Sequence, residues 1–354
     1  MTTQSKFISL SAPHDLDIVS DLKFSPFQNH FLLSSWDNRV LLYDCSDVNQ
    51  TRAFTQINSD CPVLRLAYPE GKNTAYGGSL DGSIRQIDYE NLTLDSENLN
   101  STDEGIDNGI NNLCPLPAMP NVLIASNFNG SVQMVDTRQI RSVFKRKMDS
   151  KVFQMDTTKN LVVMTLKSNR IEIYDARDME KPLEVRDTGL SYQINDLRCL
   201  PLGDGFGVST IDGRVSMEYF DPSPEVQYSK RFTFKCHRSH DKITDTDLVY
   251  PVNAIQFNKV SKTLFTGGSD GNLCLWDYDR RKRMKIYPTF VDGNTNEVES
   301  IVKLSLSYDN RLIAVATSDD DFKNSKTLGG ISKVKTPSKV YLRELLPTEC
   351  IPKP

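Results

Sequence analysis

The sequence predicts an all-β protein: one seven-bladed β-propeller spanning residues 1–354, with four antiparallel strands per blade and the ring closed by the N-terminal strand. Three observations predict it. A strand–turn–strand unit recurs, clearest in Leu33–Tyr43, Tyr76–Ile87 and Phe265–Trp276. Its turn residues Asp37, Asp81, Asn129, Ser168, Asp212, Asp270 and Asp319 are spaced by 44, 48, 39, 44, 58 and 49 residues, close to the roughly 40–45-residue period of WD40-type blades. Long amphipathic helical patterns are missing from the sequence.

Each element has a local reason. Asp-Gly and Asn-Gly pairs such as Asp81-Gly82, Asn129-Gly130 and Asp212-Gly213 suit tight hairpins, because glycine accepts positive φ at little cost. Alternation follows the turns, as in Val215, Met217 and Tyr219 against Arg214, Ser216 and Glu218. A further strand precedes each unit, for example Asp21–Phe24, Val63–Leu66, Asn253–Phe257 and Val302–Leu306. Fourth strands follow at Arg52–Ile57, Arg141–Arg146, Lys230–His237 and Arg283–Tyr287. The last unit has only three strands, ending in Lys339–Glu344, while Phe7–Leu10 is a spare strand at the N-terminus. A strand at about residues 5–12 therefore completes the last blade and removes two exposed sheet edges.

Composition narrows the function. Hydrophobic residues make up 38% and charged residues 25%, enough for a sizeable core. A net charge of −4 gives no general pull toward nucleic acid or membrane. Met1–Leu10 lacks the apolar run of a signal peptide, and no stretch approaches the roughly 20 apolar residues of a membrane helix. Seven cysteines without regular spacing read as reduced thiols of a cytosolic or nuclear protein. Asn91–Asn108, Asp221–Tyr228 and the lysine-rich Lys323–Lys339 read as solvated loops.

Catalytic and metal motifs do not survive their context. Gly267-Gly-Ser-Asp-Gly271 has the G-x-S-x-G spacing, but a strand follows where a nucleophile elbow needs a helix. Cys236, His237 and His240 have no fourth ligand at zinc-like spacing, and His14 and His30 are isolated. No P-loop and no dinucleotide fingerprint occurs. The chain is therefore expected to be no enzyme and to hold no cofactor or metal. Arg280–Arg283 with Lys285 is a basic run that fits a solvated turn or a nucleic-acid contact.

One constellation is sharper. In Gly213–Phe220 and Ser229–His237, the register that pairs Phe220 with Ser229 keeps an apolar face (Val215, Met217, Phe232, Phe234) apart from a polar one, and a one-residue slip would mix them. That register sets Glu218 opposite Arg231, Ser216 opposite Thr233 and Arg214 opposite Lys235. Two like charges side by side destabilise a bare sheet, and an anion between them, such as a phosphate, accounts for the pair. Arginine also follows the turn at Arg39 and Arg170, so structural placement is the competing reading. Trp36 takes the position that a small residue such as Ser269 holds elsewhere, at a blade edge, where core packing and partner binding compete.

At these residues the sequence resembles the mitotic-checkpoint WD-repeat proteins of the budding-uninhibited-by-benzimidazole type, with the messenger-RNA export WD-repeat proteins as the sister family. The resemblance covers nearly the whole chain and is most specific in Ser35-Trp36-Asp37, Tyr192-Gln193-Ile194, Ile211–Val215, Glu218–Asp221, Lys230–Arg238, Tyr250–Asn253 and Ala316–Asp320. It implies a spindle-assembly-checkpoint adaptor of the nucleus, at kinetochores in mitosis, without membrane or direct nucleic-acid contact. It implies two partners. A short acidic segment of the checkpoint kinase and of its checkpoint-complex relative binds across one rim and the central opening, on a surface that includes Trp36 and Arg238. A phosphothreonine repeat of the outer-kinetochore scaffold is held by Arg214 and Lys235. Where the family usually has arginine in the partner-peptide surface, this chain has Asn195; Arg198 is nearby in sequence, and its reach to that surface is for the structure to decide. The short N-terminal lead and Glu218–Asp221 favour the checkpoint branch; the export branch, an adaptor at the nuclear pore, shares the other segments.

Overall fold

Alternating apolar and polar residues turn most of the chain into short antiparallel strands, each burying one face against the next sheet. The computed structural model describes residues 6–48, 51, 54–69, 72–100, 108–139, 142–319, 337–346 and 348–352. Lys323–Thr336 and most of the second half of Asn91–Asn108 lie outside the described residues.

The described strands form seven four-stranded meanders. Their first strands are Val19–Phe24, Val63–Ala67, Ile110–Pro115, Gln154–Thr158, Ile194–Cys199, Val252–Phe257 and Ile301–Leu306. The first two meanders merge into one eight-stranded sheet through a parallel bridge, Asn58↔Thr93. In the last, Ile8–Ser9 adds to Lys339–Glu344 with Ile8 opposite Leu342 and Ser9 opposite Tyr341. Each first strand packs against the next, and Ile301–Leu306 returns to Val19–Phe24, so the circuit closes around a central channel. Between sheets lie apolar layers, such as Val163, Ile171 and Ile173 of the fourth meander against Leu197, Phe206 and Val208 of the fifth. Burying one such side chain contributes about 1.5–3 kcal/mol.

First strands have an inner edge with no strand to pair with, and the sequence supplies polar side chains there. Six first strands shift register at their second residue, between Val19/Asp21, Val63/Arg65, Ile110/Asn112, Ile194/Asp196, Val252/Ala254 and Ile301/Lys303. Such a bulge re-aims a side chain. Ser20 Oγ donates to the Val63 carbonyl, Asn111 Nδ2 to Val152, Asn195 Nδ2 to Val252 and Asn253 Nδ2 to Ile301. Gln154 Nε2 reaches the Asn195 carbonyl, and Ser318 Oγ accepts from the Val19 amide. Deeper in the channel, carboxylates make similar links in reverse: Asp21 accepts from the Leu66 amide, Asp156 from Cys199 and Asp196 from Ile255.

The sixth meander carries a buried polar chain. His237 Nδ1 and Asp270 Oδ1 are 2.8 Å apart, His237 Nε2 and Thr266 Oγ1 are 2.8 Å apart, and Trp276 Nε1 donates to Thr266 Oγ1 at 3.0 Å. His237 is thus a structural link. Cys236 beside it is buried, and among the described residues no group of three or more His, Cys, Asp or Glu is placed to hold a metal. All seven cysteines are free.

The structure departs from the expected loops at two described points. Within Asn91–Asn108, Thr93–Leu94 is the outer strand of the second meander, paired with Ile84–Asp88. At Asp221–Tyr228 a short helix forms, Pro224–Ser229, because Pro224 sits in the first turn, where its missing N–H costs nothing. The strand expected at Lys230–His237 is shorter, Phe232–Lys235, because His237 turns back with φ of 47° to reach its partners. In the basic run, the Arg281 guanidinium lies over the Phe232 ring and Arg283 over Trp276, while Lys285 is 2.6 Å from Glu349. Leu273–Asp277 is a strand, so Gly267–Gly271 is a hairpin turn.

Two substitutions test this frame. His237→Ala leaves Asp270 and Thr266 without their buried partner, and it should lower unfolding free energy by roughly 2–4 kcal/mol in urea titration. In Gly268→Ala the added Cβ would stand 2.5 Å from His237 Nδ1. It should destabilise on the order of 1–3 kcal/mol by the same assay, and unchanged midpoints for both variants would contradict the arrangement.

Candidate functional site

The chain enters each first strand at one end of the ring, and the turn between second and third strands comes back to that same end. Trp36, Asp212 and the end of Phe232–Lys235 therefore lie on one rim, with the channel mouth at its centre.

In the fifth meander, Arg214–Tyr219 pairs with Phe232–Lys235 in the register that the alternation requires: Arg214↔Lys235, Val215↔Phe234, Ser216↔Thr233 and Met217↔Phe232. Arg231 Nε lies 2.9 Å from Glu218 Oε2. Burial pushes the Glu218 carboxyl above its ordinary range, against the opposing pull of Arg231 and Arg186. Thr233 Oγ1 donates to Ser216 Oγ at 3.0 Å. Side chains directly opposite in such a pair have Cβ atoms about 4.5–5.5 Å apart, so Arg214 and Lys235 share one small patch.

The structure modifies the expectation of two bare like charges. Arg214 Nε donates to Asp212 Oδ2 at 2.6 Å, so the turn carboxylate already relieves part of the repulsion. Asp212 engages Nε alone; among the described residues, neither terminal nitrogen of Arg214 nor Lys235 Nζ has a hydrogen bond or ion pair. Arg214 is 40% exposed, and Lys235 is exposed.

The mouth is a cavity of about 450 Å³. Trp36 lines it and is 43% exposed, which settles its packing in favour of the rim over the core. Three cations line the same cavity: Arg65, Lys151 and Lys303, with Asp319 as the one carboxylate. Arg65 Nη1 donates to the Ser20 and Leu64 carbonyls at 3.3 and 3.1 Å. Lys151 Nζ sits 4.4 Å from the centre of the Phe128 ring. Lys303 has no hydrogen bond or ion pair among the described residues. Charged residues inside otherwise apolar first strands, Val63-Leu-Arg-Leu66 and Val302-Lys-Leu-Ser-Leu306, were the signal for two of these cations.

Asn195 also lines the mouth, but its Nδ2 is committed to Val252 O and Asn253 Oδ1, both at 3.0 Å. It serves as an inter-strand link there. Arg198 does not replace a cation at the mouth: it lies three residues further down the strand, 3.6 Å from Asp196. Arg238 stands apart from the cavity on a separate hairpin, Arg238–Asp241 with Thr246–Val249, whose tip residue Ile243 is 95% exposed. Its Nη1 is 3.7 Å from Asp247 and its Nε is buried without a partner. The structure thus brings together Trp36 with Asn195 and Arg214 with Lys235, while Arg238 belongs to neither cluster.

Comparison with known proteins places these features in context. The family model for the WD domain, G-beta repeat, matches residues 6–44 and 229–277. The chain is 32% identical to the mitotic checkpoint protein bub3 of Dictyostelium discoideum, over 98% of this chain and 97% of that protein. It is 32% identical to the spindle assembly checkpoint protein bub3 of Schizosaccharomyces pombe, over 85% and 88% respectively. It is 30% identical to the mitotic checkpoint protein bub-3 of Caenorhabditis elegans, over 90% and 91%.

Proposed function

The chain belongs to the Bub3-type family of mitotic checkpoint WD-repeat proteins and has a role in the spindle assembly checkpoint, and from that premise we propose a non-enzymatic adaptor at kinetochores of the dividing nucleus, reading two kinds of acidic partner on one rim. The first is a short acidic segment of the checkpoint kinase and of its checkpoint-complex relative, lying across the channel mouth. The second is a phosphothreonine repeat of the outer-kinetochore scaffold, held between Arg214 and Lys235.

The mouth suits the first partner chemically. Carboxylates meet Arg65, Lys151 and Lys303, and an apolar neighbour packs on the exposed face of Trp36. Arg238 reaches the segment where it leaves the mouth toward the projecting hairpin.

The paired strands suit the second, and the observation that carries this reading is the Arg214↔Lys235 register with no carboxylate on Lys235 among the described residues. Asp212 holds Arg214 by Nε and leaves its two terminal nitrogens for a ligand. A neutral threonine hydroxyl has no charge with which to compete against Asp212. A phosphate brings about −1.5 to −2 charges and three acceptor oxygens, and each charge-assisted bond contributes roughly 1.5–3 kcal/mol. Phosphorylation then switches affinity on without movement of the backbone.

Calorimetry with phosphorylated and unphosphorylated scaffold peptide tests the second seat. The wild type should prefer the phosphopeptide by roughly 10–100-fold, and Arg214→Ala with Lys235→Ala should bind both peptides equally. A double variant that keeps the preference would overturn the assignment. For the first seat, Trp36→Ala should weaken binding of the kinase's acidic segment by at least about tenfold, the scale of an interface hot spot, while leaving phosphopeptide affinity within about twofold.

A further inference from the structure

We propose that seating an acidic segment in the channel mouth is coupled to the uptake of one proton by Lys303, so that this face binds its partner more weakly as pH rises through neutrality. The proposal rests on the reading of the mouth as the seat for that segment.

The geometry is a crowd of cations short of counter-ions. Lys303 is half-buried on Ile301–Leu306. It shares one cavity with Arg65 and Lys151, and Asp319 is the carboxylate lining it, so three cations face one acid there. The strands packed directly beside it in its own and the preceding meander, Leu312–Thr317, Val252–Phe257 and Thr263–Gly268, carry no ionisable side chain. On its other side, Val19–Phe24 contributes Asp21 and Lys23. Across the channel, Val63–Ala67 contributes Arg65, Gln154–Thr158 contributes Asp156, and Ile194–Cys199 contributes Asp196 and Arg198.

The carboxylates in that set are engaged elsewhere. Asp21 accepts from the Leu22 and Leu66 amides, and Asp196 from the Leu197 and Ile255 amides. Asp156 accepts from the Cys199 amide. None lies within 4 Å of Lys303 among the described residues.

A crowded ammonium group can relieve the repulsion by losing its proton, which an arginine cannot do. Burial and then the nearby Arg65 push the Lys303 amine down to about 7, against the weaker attraction of Asp21 and Asp196. Lys151 is shifted the same way by burial and Arg65.

The sign follows. Free Lys303 is charged below about pH 7 and loses its charge above it. Partner carboxylates favour the charged amine and raise its pKa in the complex. Binding above pH 7 therefore draws a proton from solvent, and affinity falls as pH rises until the pKa of the complex is reached. Carboxylates of the partner, with ordinary values near 4, stay ionised throughout.

The test is calorimetry with a synthetic peptide of the checkpoint kinase's acidic segment at pH 6, 7 and 8, in buffers of contrasting protonation enthalpy. The wild type should lose about tenfold in affinity from pH 6 to pH 8 and take up close to one proton per peptide at pH 8. Lys303→Arg keeps the charge and should bind with affinity flat to about twofold and no uptake; Lys303→Met should bind weakly at every pH, also without uptake. A wild type as flat as Lys303→Arg, or an arginine variant that still takes up a proton, would overturn the coupling while leaving the seat intact. A peptide that fails to bind the folded wild type even at pH 6 would remove both.

Discussion

The inner edges of seven first strands face a channel with no strand to pair with them, and the structure depends on how that edge is satisfied. Serine, asparagine and glutamine side chains, most of them thrown sideways by a bulge, reach from one strand to a backbone carbonyl of the next. Aspartates lower down reach backbone amides of the neighbouring strand. Each link satisfies a group that would be costly to bury unpaired, and each also sets the spacing between meanders. The meanders are thus joined by this circuit as well as by the apolar layers between sheets.

The same circuit shapes the electrostatics. Carboxylates tied to amides are poorly placed to form close ion pairs with the channel cations. Among the described residues, Arg65, Lys151 and Lys303 therefore reach the mouth without a carboxylate in salt-bridge distance, unlike the arginines on the outside of the molecule. Arg39 has Asp15, Arg138 has Asp136 and Arg177 has Asp175. A protein with a net charge of −4 thus presents a cationic opening on one face, whose local field attracts anionic groups whatever the overall balance.

The two seats differ in how their charge is held in reserve. At the paired strands, Asp212 takes one nitrogen of Arg214 and leaves the rest, so a ligand must bring more than a neutral hydroxyl to gain from the site. At the mouth, the repulsion among cations is eased through the proton on Lys303. On the proposed reading, an acidic ligand takes over in both from a device that stabilises the free protein, which favours discrimination over raw affinity.

Much of this was legible from residues alone. Asp-Gly turns and period-2 alternation marked the hairpins, the spare Phe7–Leu10 pointed to the incomplete last meander, and the face separation of Val215, Met217, Phe232 and Phe234 determined one register and with it the Arg214–Lys235 neighbourhood. Those are local or pairwise constraints, and a one-residue slip would have exposed apolar side chains. Tertiary structure alone decided the rest. Whether Asn195 points at a partner or at Val252, and which first-strand cations come to the mouth, depend on bulges and on contacts between strands about 40 to 60 residues apart. The sequence pattern carries no term for a bulge, and the closeness of Arg65, Lys151 and Lys303 exists only once the ring has closed.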